Sequence, residues 1–171
     1  IALSGNPKIL IADEPTTALD VTIQAQIIGL LKDIQAKLGT TIILITHDLG
    51  VVASIADKII VMYSGKIVEK GECNEIFSSH RHPYTWSLLN AAPSLEIKNN
   101  RKLISIEGTP PDLINPPKGC PFASRCKYCM NICVEAAPPE YNYGAGHKVS
   151  CWLYHPESGY HDIDFNKEAE D

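Results

Sequence analysis

The chain has 171 residues, of which 44% are hydrophobic and 20% are charged, a composition typical of a soluble globular protein rather than a disordered one. Its formal net charge is -5 and it has no Lys- or Arg-rich run, so nucleic acid is not expected as a partner. Its apolar runs are far shorter than the roughly 20 residues that span a bilayer, so any membrane association is predicted to be peripheral.

The first third of the chain has the pattern of a parallel α/β unit. Residues 8–12 are apolar without alternation, which predicts a strand buried on both faces. Asp20 is a favourable N-cap for a helix over 21–38, and Gly39 suits its C-terminal end. Residues 41–45 form the next buried, β-branched strand, so the order strand, helix, strand predicts a right-handed parallel crossover.

Shorter elements follow, and then the composition changes. The predicted elements are a helix over 49–56, a hairpin of strands 58–63 and 66–70, and helices over 72–79 and 84–92. From Pro93 onward, prolines interrupt a region with few periodic apolar segments. We therefore divide the chain into residues 1–92, a second region over 93–157 and an acidic tail, expected to be loose, over 158–171. A region this rich in Pro and Cys is expected to bury little core and to need a metal or cluster as a staple.

Two carboxylates and a histidine follow the two predicted parallel strands. Asp13 and Glu14 follow the first strand and His47 follows the second, so all three are expected at one crevice at the carboxyl ends of the sheet. Acidic residues also commonly end strands and cap turns, and a single His after a strand is commonly structural. The order of the parts favours phosphoryl transfer: Asp-Glu-Pro-Thr at 13–16, Ala-Leu-Asp at 18–20 and Thr-His-Asp at 46–48.

This order of parts resembles the catalytic edge of an ABC-type ATPase. The resemblance implies that Asp13 ends the Walker B strand and binds Mg²⁺, that Glu14 orients or deprotonates the attacking water, and that His47 contacts the γ-phosphate of ATP. It also implies that Asp20 ends the D-loop and helps to shape the opposite site of a paired subunit. Thr17 stands where the family usually has Ser.

Two motifs of that family are missing from the sequence. Neither the phosphate-binding motif G-x-x-x-x-G-K-[ST] (Walker A) nor the signature Ser-Gly-Gly occurs. The chain is therefore interpreted as the C-terminal portion of a longer ATPase. This portion alone is not expected to hydrolyse ATP.

Five of the six cysteines lie in a short segment of the second region. Thiols stay reduced in the cytosol, so a metal site is favoured over a disulfide framework. The predicted ligands are Cys120, Cys126, Cys133 and Cys151. Spacing slightly favours Zn²⁺, because Cys126 and Cys129 form a close pair, but it leaves an iron–sulfur cluster open. His147 and His155 could complete a zinc site, but they are interpreted as structural residues.

The segments around these cysteines resemble the C-terminal extension of oligopeptide/dipeptide importer ATPases. The matching segments are Gly-Cys-Pro-Phe at 119–122, Arg-Cys at 125–126, Cys133, Gly-His-Lys-Val-Ser-Cys-Trp at 146–152 and, before them, His-Pro-Tyr at 82–84. The resemblance implies a [4Fe-4S] cluster on the four cysteines. His82 is interpreted as part of the start of a helix, with Pro83 in its first turn.

The resemblance as a whole implies an ATP-binding subunit of an ABC importer that couples ATP hydrolysis to uptake of oligopeptides or dipeptides. It implies a peripheral protein at the cytoplasmic face of the cell membrane. The implied partners are a second, different ABC ATPase subunit in a heterodimer, transmembrane permease subunits and, through the permease, an extracytoplasmic solute-binding protein. An importer of nickel or another small solute and a truncated, non-catalytic metal-binding module are the alternatives.

The expected fold class is α/β. It consists of the C-terminal part of an ABC-type P-loop ATPase domain, with parallel strands and crossover helices. A small irregular extension, stapled by a metal or a cluster, is expected to follow.

Overall fold

The computed structural model describes residues 2–91, 106–144, 146–160, 163 and 165. Its elements in chain order are β1 (Ile9–Asp13), α1 (Val21–Leu38), β2 (Thr41–Ile45), α2 (Leu49–Ile55), β3 (Lys58–Tyr63), β4 (Lys66–Glu72), α3 (Cys73–Ser79), α4 (Pro83–Ala91), α5 (Asn131–Glu135), β5 (Glu140–Asn142) and β6 (Lys148–Ser150). The described residues fall into two compact units, an N-terminal unit up to Ala56 and a C-terminal unit from Asp57.

In the N-terminal unit, β1 and β2 pair in parallel, as the pattern predicts, with Asp13 beside Ile45 at their carboxyl ends. Helix α1 connects them. The carboxylate of Asp20 accepts hydrogen bonds from the backbone N–H groups of Thr22 and Ile23, so the predicted N-cap is confirmed. Gly39 ends the helix at φ 64°, a left-handed conformation that glycine adopts without the steric cost of a Cβ.

The prediction that both strands are fully buried is wrong for this sheet. Ile9 is 57% exposed and Ile11 is 64% exposed, and every second residue of β2 is exposed in the same way. The buried cluster of this unit consists of Ile28 and Leu31 of α1 with Val51 of α2. Among the described residues the sheet has two strands and the helices cover the inward-facing side chains, so the alternate side chains remain in solvent.

The C-terminal unit is built on a four-stranded antiparallel sheet in the order β3-β4-β6-β5. The predicted hairpin of β3 and β4 is confirmed, and its turn at Ser64 and Gly65 has positive φ at both residues. Strand β6 pairs with β4 through Glu69 and Val149. The cysteine-containing region therefore contributes two strands to the sheet rather than remaining irregular.

The expectation that this region buries little core is also wrong. The side chains of Phe122, Val149 and Leu153 are almost completely buried in two apolar clusters. Aromatic and branched residues of the region supply this core. Phe165, in the segment predicted as a loose tail, packs against Trp86 and is buried as well. The predicted boundary between residues 92 and 93 lies outside the described residues and stays a prediction.

Gly119 allows the backbones of two cysteines to approach each other. The N–H of Cys120 donates a hydrogen bond of 2.7 Å to the carbonyl oxygen of Cys133. A Cβ atom at Gly119 would lie 2.1 Å from that same oxygen and 2.6 Å from the carbonyl oxygen of Val134. Because a side chain here would collide with backbone, glycine is required for this pairing.

Candidate functional site

The N-terminal unit brings Glu14 and His47 together where β1 and β2 end. The N–H of Glu14 donates 2.8 Å to the carbonyl oxygen of Ile45, which fixes the residue after β1 beside the end of β2. Glu14 Oε1 lies 2.9 Å from His47 Nδ1, and Thr17 Oγ1 donates 2.8 Å to Glu14 Oε2. Both carboxylate oxygens of Glu14 therefore have a partner.

Glu14 and His47 each stabilise the charged form of the other. The hydrogen bond with His47, helped by the one from Thr17, lowers the pKa of Glu14, and the hydrogen bond with Glu14 raises the pKa of His47. The His47 side chain is 82% exposed and that of Glu14 is 36% exposed, so solvent screens the attraction. Glu14 also has φ 46°, a left-handed conformation that a non-glycine residue adopts at a cost. Glu14 thus has an ionised, solvent-facing carboxylate whose orientation is set by His47 and Thr17.

The other two predicted residues of this site occupy backbone positions that fit the prediction. Asp13 is the last residue of β1, one residue before Glu14. Asp20 uses one carboxylate oxygen to cap α1. The structure therefore places Asp13 at the edge that carries Glu14 and His47, and it gives Asp20 a role in starting the helix.

Sequence reasoning missed a hydrogen bond that supports the His47 loop. Asp48 Oδ1 accepts from the N–H groups of Gly50 and Val51, which caps α2. Its other oxygen, Oδ2, accepts a hydrogen bond of 2.8 Å from Gln24 Nε2 on α1. The cap was visible in the sequence as Asp before an apolar segment, but nothing in the sequence pairs Gln24 with it.

The C-terminal unit gathers the four predicted cysteine ligands around one small cavity. Its walls include Cys120, Cys126, Cys133 and Cys151 together with His82 and apolar side chains such as Phe122 and Leu153. Burial raises the pKa of Cys126 to about 12, and burial also raises the pKa of Cys120 and Cys151. These thiols therefore stay protonated at neutral pH unless a cation compensates the charge of the thiolates.

The thiols converge without forming a coordination site. Within the part of the chain that the structure describes, no group of three or more His, Cys, Asp or Glu residues is placed to hold a metal ion. Cys129 is exposed beside the cavity, and its thiol donates to the carbonyl oxygen of Met130 at 3.6 Å. Cys73 is half-buried at the start of α3.

A buried carboxylate in the C-terminal unit was also missed by sequence reasoning. Glu69 of β4 is 0% exposed. Its Oε1 accepts from the N–H of Arg81 at 2.6 Å and lies 2.8 Å from His147 Nε2, and its Oε2 accepts from the N–H of His82 at 3.0 Å. Burial raises the pKa of Glu69, but the hydrogen bonds, led by that of His147, outweigh it and lower the pKa below its usual value. His147 is thus structural, as predicted. Its contact with Glu69 joins the residue just before β6 to β4.

The strand ends, the helix caps and the mixed α/β architecture are consistent with the C-terminal region of an ABC-type ATPase. Residues 68–133 match the family described as "Oligopeptide/dipeptide transporter, C-terminal region". The resemblance to oligopeptide and dipeptide transporter ATPases is therefore confirmed.

Curated relatives extend the similarity to nearly the whole chain. The chain is 58% identical over 158 residues to the oligopeptide transport ATP-binding protein OppD of Bacillus subtilis, covering 92% of this chain and 44% of that protein. It is 52% identical over 158 residues to the dipeptide transport ATP-binding protein DppD of Lactococcus lactis subsp. cremoris, covering 92% and 45%. It is 49% identical over 152 residues to OppD of Salmonella typhimurium, covering 89% and 45%.

The chain thus spans less than half the length of the curated relatives it matches. Among the helices of the described residues, none has both the length and the apolar character needed to cross a membrane.

Proposed function

We propose that this chain is part of the ATP-hydrolysing subunit of an importer of oligopeptides or dipeptides. The observation that carries the proposal is the 2.9 Å contact between Glu14 and His47 at the carboxyl ends of two parallel strands. Ligands of open α/β sheets bind at this edge. The relatives named above, described as ATP-binding proteins of oligopeptide and dipeptide transport, support the same activity and substrate class and favour it over nickel import or a non-catalytic module.

In the proposed mechanism Glu14 accepts a proton from the attacking water or orients it, because its ionised carboxylate is exposed and fixed by two hydrogen bonds. His47 keeps that carboxylate in place and faces the γ-phosphate of bound ATP. Asp13, one residue before Glu14, would bind Mg²⁺, which neutralises charge on the phosphates. Asp20 keeps the start of α1 in place, and it would help to shape the opposite site of a paired subunit.

The proposed assembly follows from the same activity. A second, different ABC ATPase subunit would pair with this one, and transmembrane permease subunits would bind the pair at the cytoplasmic face of the membrane. An extracytoplasmic solute-binding protein would deliver the peptide through the permease. The subunit itself is proposed to be peripheral.

The test of this function is Glu14→Gln in the full-length subunit, assembled with its permease and partner ATPase. The substitution keeps the shape and removes the base, so kcat for ATP should fall by about 10²–10⁴. Asp33→Asn, which changes a carboxylate on the exposed surface of α1, is the matched control and should leave kcat unchanged. Equal turnover by Glu14→Gln and the wild type would refute the assignment of the base.

We also propose that Cys120, Cys126, Cys133 and Cys151 bind a [4Fe-4S] cluster, with Zn²⁺ as the alternative. Two observations of this chain support a metal centre: four cysteines line one cavity, and His82, which also lines it, has a buried ring nitrogen without a partner among the described residues. Four thiolates suit either group. Because the thiols do not yet form a coordination site, loading would require their side chains to rearrange.

Elemental analysis of anaerobically purified protein separates these options. Iron and acid-labile sulfide in equal amounts, near four of each per chain, would support the cluster. One zinc per chain without iron would support the alternative, and neither metal would refute the centre.

A further inference from the structure

One of the buried polar atoms of the C-terminal unit that lack a hydrogen-bond partner among the described residues belongs to His82. Its side chain is 1% exposed and lines the cavity of the four cysteines. Its Nε2 is buried and has no hydrogen-bond partner in the described part of the chain. A buried nitrogen without a partner costs about 1–3 kcal/mol, so a histidine at this place needs an explanation beyond packing.

The other ring nitrogen of His82 determines where the proton lies. Nδ1 is 3.0 Å from the backbone nitrogen of Tyr84, whose N–H donates to it at the start of α4. An atom that accepts a hydrogen bond carries no proton, so the neutral ring has its proton on Nε2. The unpartnered nitrogen is therefore a donor, an N–H group on a residue that lines the cavity of the four cysteines.

We propose that His82 donates its Nε2–H hydrogen bond to a sulfur atom of the centre held by the four cysteines. The inference rests on the proposed metal centre. Sulfur that binds a metal is negatively charged and accepts hydrogen bonds, whereas a thiol is in general a weak acceptor. Binding of the metal ion or cluster would thus supply the partner that His82 lacks. His82 would stabilise the metal-bound protein without being a ligand.

Two substitutions separate the two nitrogens of His82. In His82→Asn, the side-chain oxygen can accept from the Tyr84 N–H as Nδ1 does, but no donor extends into the cavity. In His82→Gln, the amide can place an N–H near the position of Nε2, but the acceptor for Tyr84 is lost. His155 supplies the matched control, because its Nδ1 accepts from the N–H of Glu157 in the same local pattern and it does not line the cavity.

The experiment reconstitutes each variant of the chain anaerobically with Fe²⁺ and sulfide, and in parallel with Zn²⁺, and measures metal retained against a chelator. We expect retention by His82→Asn to weaken about 10–100-fold, the range typical for a lost partner of a metal ligand, with His82→Gln and His155→Asn close to the wild type. In the iron-loaded form, loss of the donor should also shift the midpoint potential to lower values, because hydrogen bonds to sulfur favour the reduced cluster.

Each result of this experiment supports or overturns the proposed role of His82. Equal retention by His82→Asn and the wild type, or equal loss in both His82 variants, would overturn the inference while leaving the metal centre intact. A wild-type chain that retains neither metal would refute the centre and the inference with it. If His82→Asn does not fold, ¹⁵N NMR of the wild-type imidazoles still applies, and a proton on Nδ1 instead of Nε2 would overturn the proposal.

Discussion

The two compact units of this chain bury their apolar residues to very different degrees. In the C-terminal unit, aromatic and branched side chains form two buried clusters on a four-stranded sheet. In the N-terminal unit, one small cluster lies beneath a two-stranded sheet whose outward isoleucines are in solvent. Local features such as strand register and helix caps therefore suffice to place Glu14 near His47, whereas the cysteine cavity depends on a complete core.

Tryptophan fluorescence and circular dichroism respond differently to the unfolding of the two units. Both tryptophans of the chain, Trp86 and Trp152, lie in the C-terminal unit, so tryptophan fluorescence reports the unfolding of that unit. The N-terminal unit has no Phe, Trp or Tyr but contains α1, the longest helix of the described residues, so its unfolding is followed by far-ultraviolet circular dichroism, to which the helices of both units contribute. This difference makes the comparison testable.

The largest expected effect follows from removing the buried carboxylate of the C-terminal unit. Glu69→Ala would leave His147 and two backbone N–H groups without their acceptor. We expect the free energy of unfolding measured by urea titration of tryptophan fluorescence to fall by about 3–5 kcal/mol. Glu140→Ala is the control on the same sheet, because Glu140 also contacts two cations but is partly exposed, and it should cost less than about 1 kcal/mol. Equal losses for the two variants would contradict the buried network.

The second effect is a pH dependence of the C-terminal unit. Burial lowers the pKa of His82 to about 4, against an ordinary value of 6.5. Between these values the unfolded chain binds a proton that the folded chain does not, so stability falls as pH falls from 6.5 to 4, by about 3 kcal/mol at most. Unfolding of the metal-free chain across this range tests the sign. His82→Asn should remove this part of the slope, and an unchanged slope would contradict the burial of a neutral imidazole.

The sequence predicts local features better than pairings across the chain. Asp20, Gly39 and the two parallel strands follow from residue chemistry within a few positions, and the contact of Glu14 with His47 follows from the rule for strand ends. Glu69 could not be recognised, because its partner His147 lies 78 residues further along the chain. Full burial of β1 was predicted from an apolar run, but burial depends on what covers the strand, which composition does not encode.

The third effect concerns the approach of two cysteine backbones. In Gly119→Ala, the new Cβ would be 2.1 Å from the carbonyl oxygen of Cys133, so the backbone must move. Overpacking of this kind costs about 1–3 kcal/mol, and the hydrogen bond from Cys120 to Cys133 should weaken. Urea titration of fluorescence measures the loss. Gly65→Asn, in a turn with positive φ and open space, is the control and should cost much less. A loss in Gly119→Ala no larger than in Gly65→Asn would contradict the close approach.

The smallest effect is expected on the outer face of β1. Ile11→Thr keeps a β-branched side chain and changes one that is 64% exposed, so the free energy of unfolding followed by circular dichroism should change by less than about 0.5 kcal/mol. Val149→Thr makes a similar change at a position that is 0% exposed and should cost about 1–3 kcal/mol, because the hydroxyl is buried. If Ile11→Thr cost as much as Val149→Thr, another copy of the chain would cover this face of β1. Dilution of the protein should then remove that cost. The same substitution in a full-length protein would measure how much of the face the additional residues cover, since the cost of the threonine hydroxyl rises with its burial.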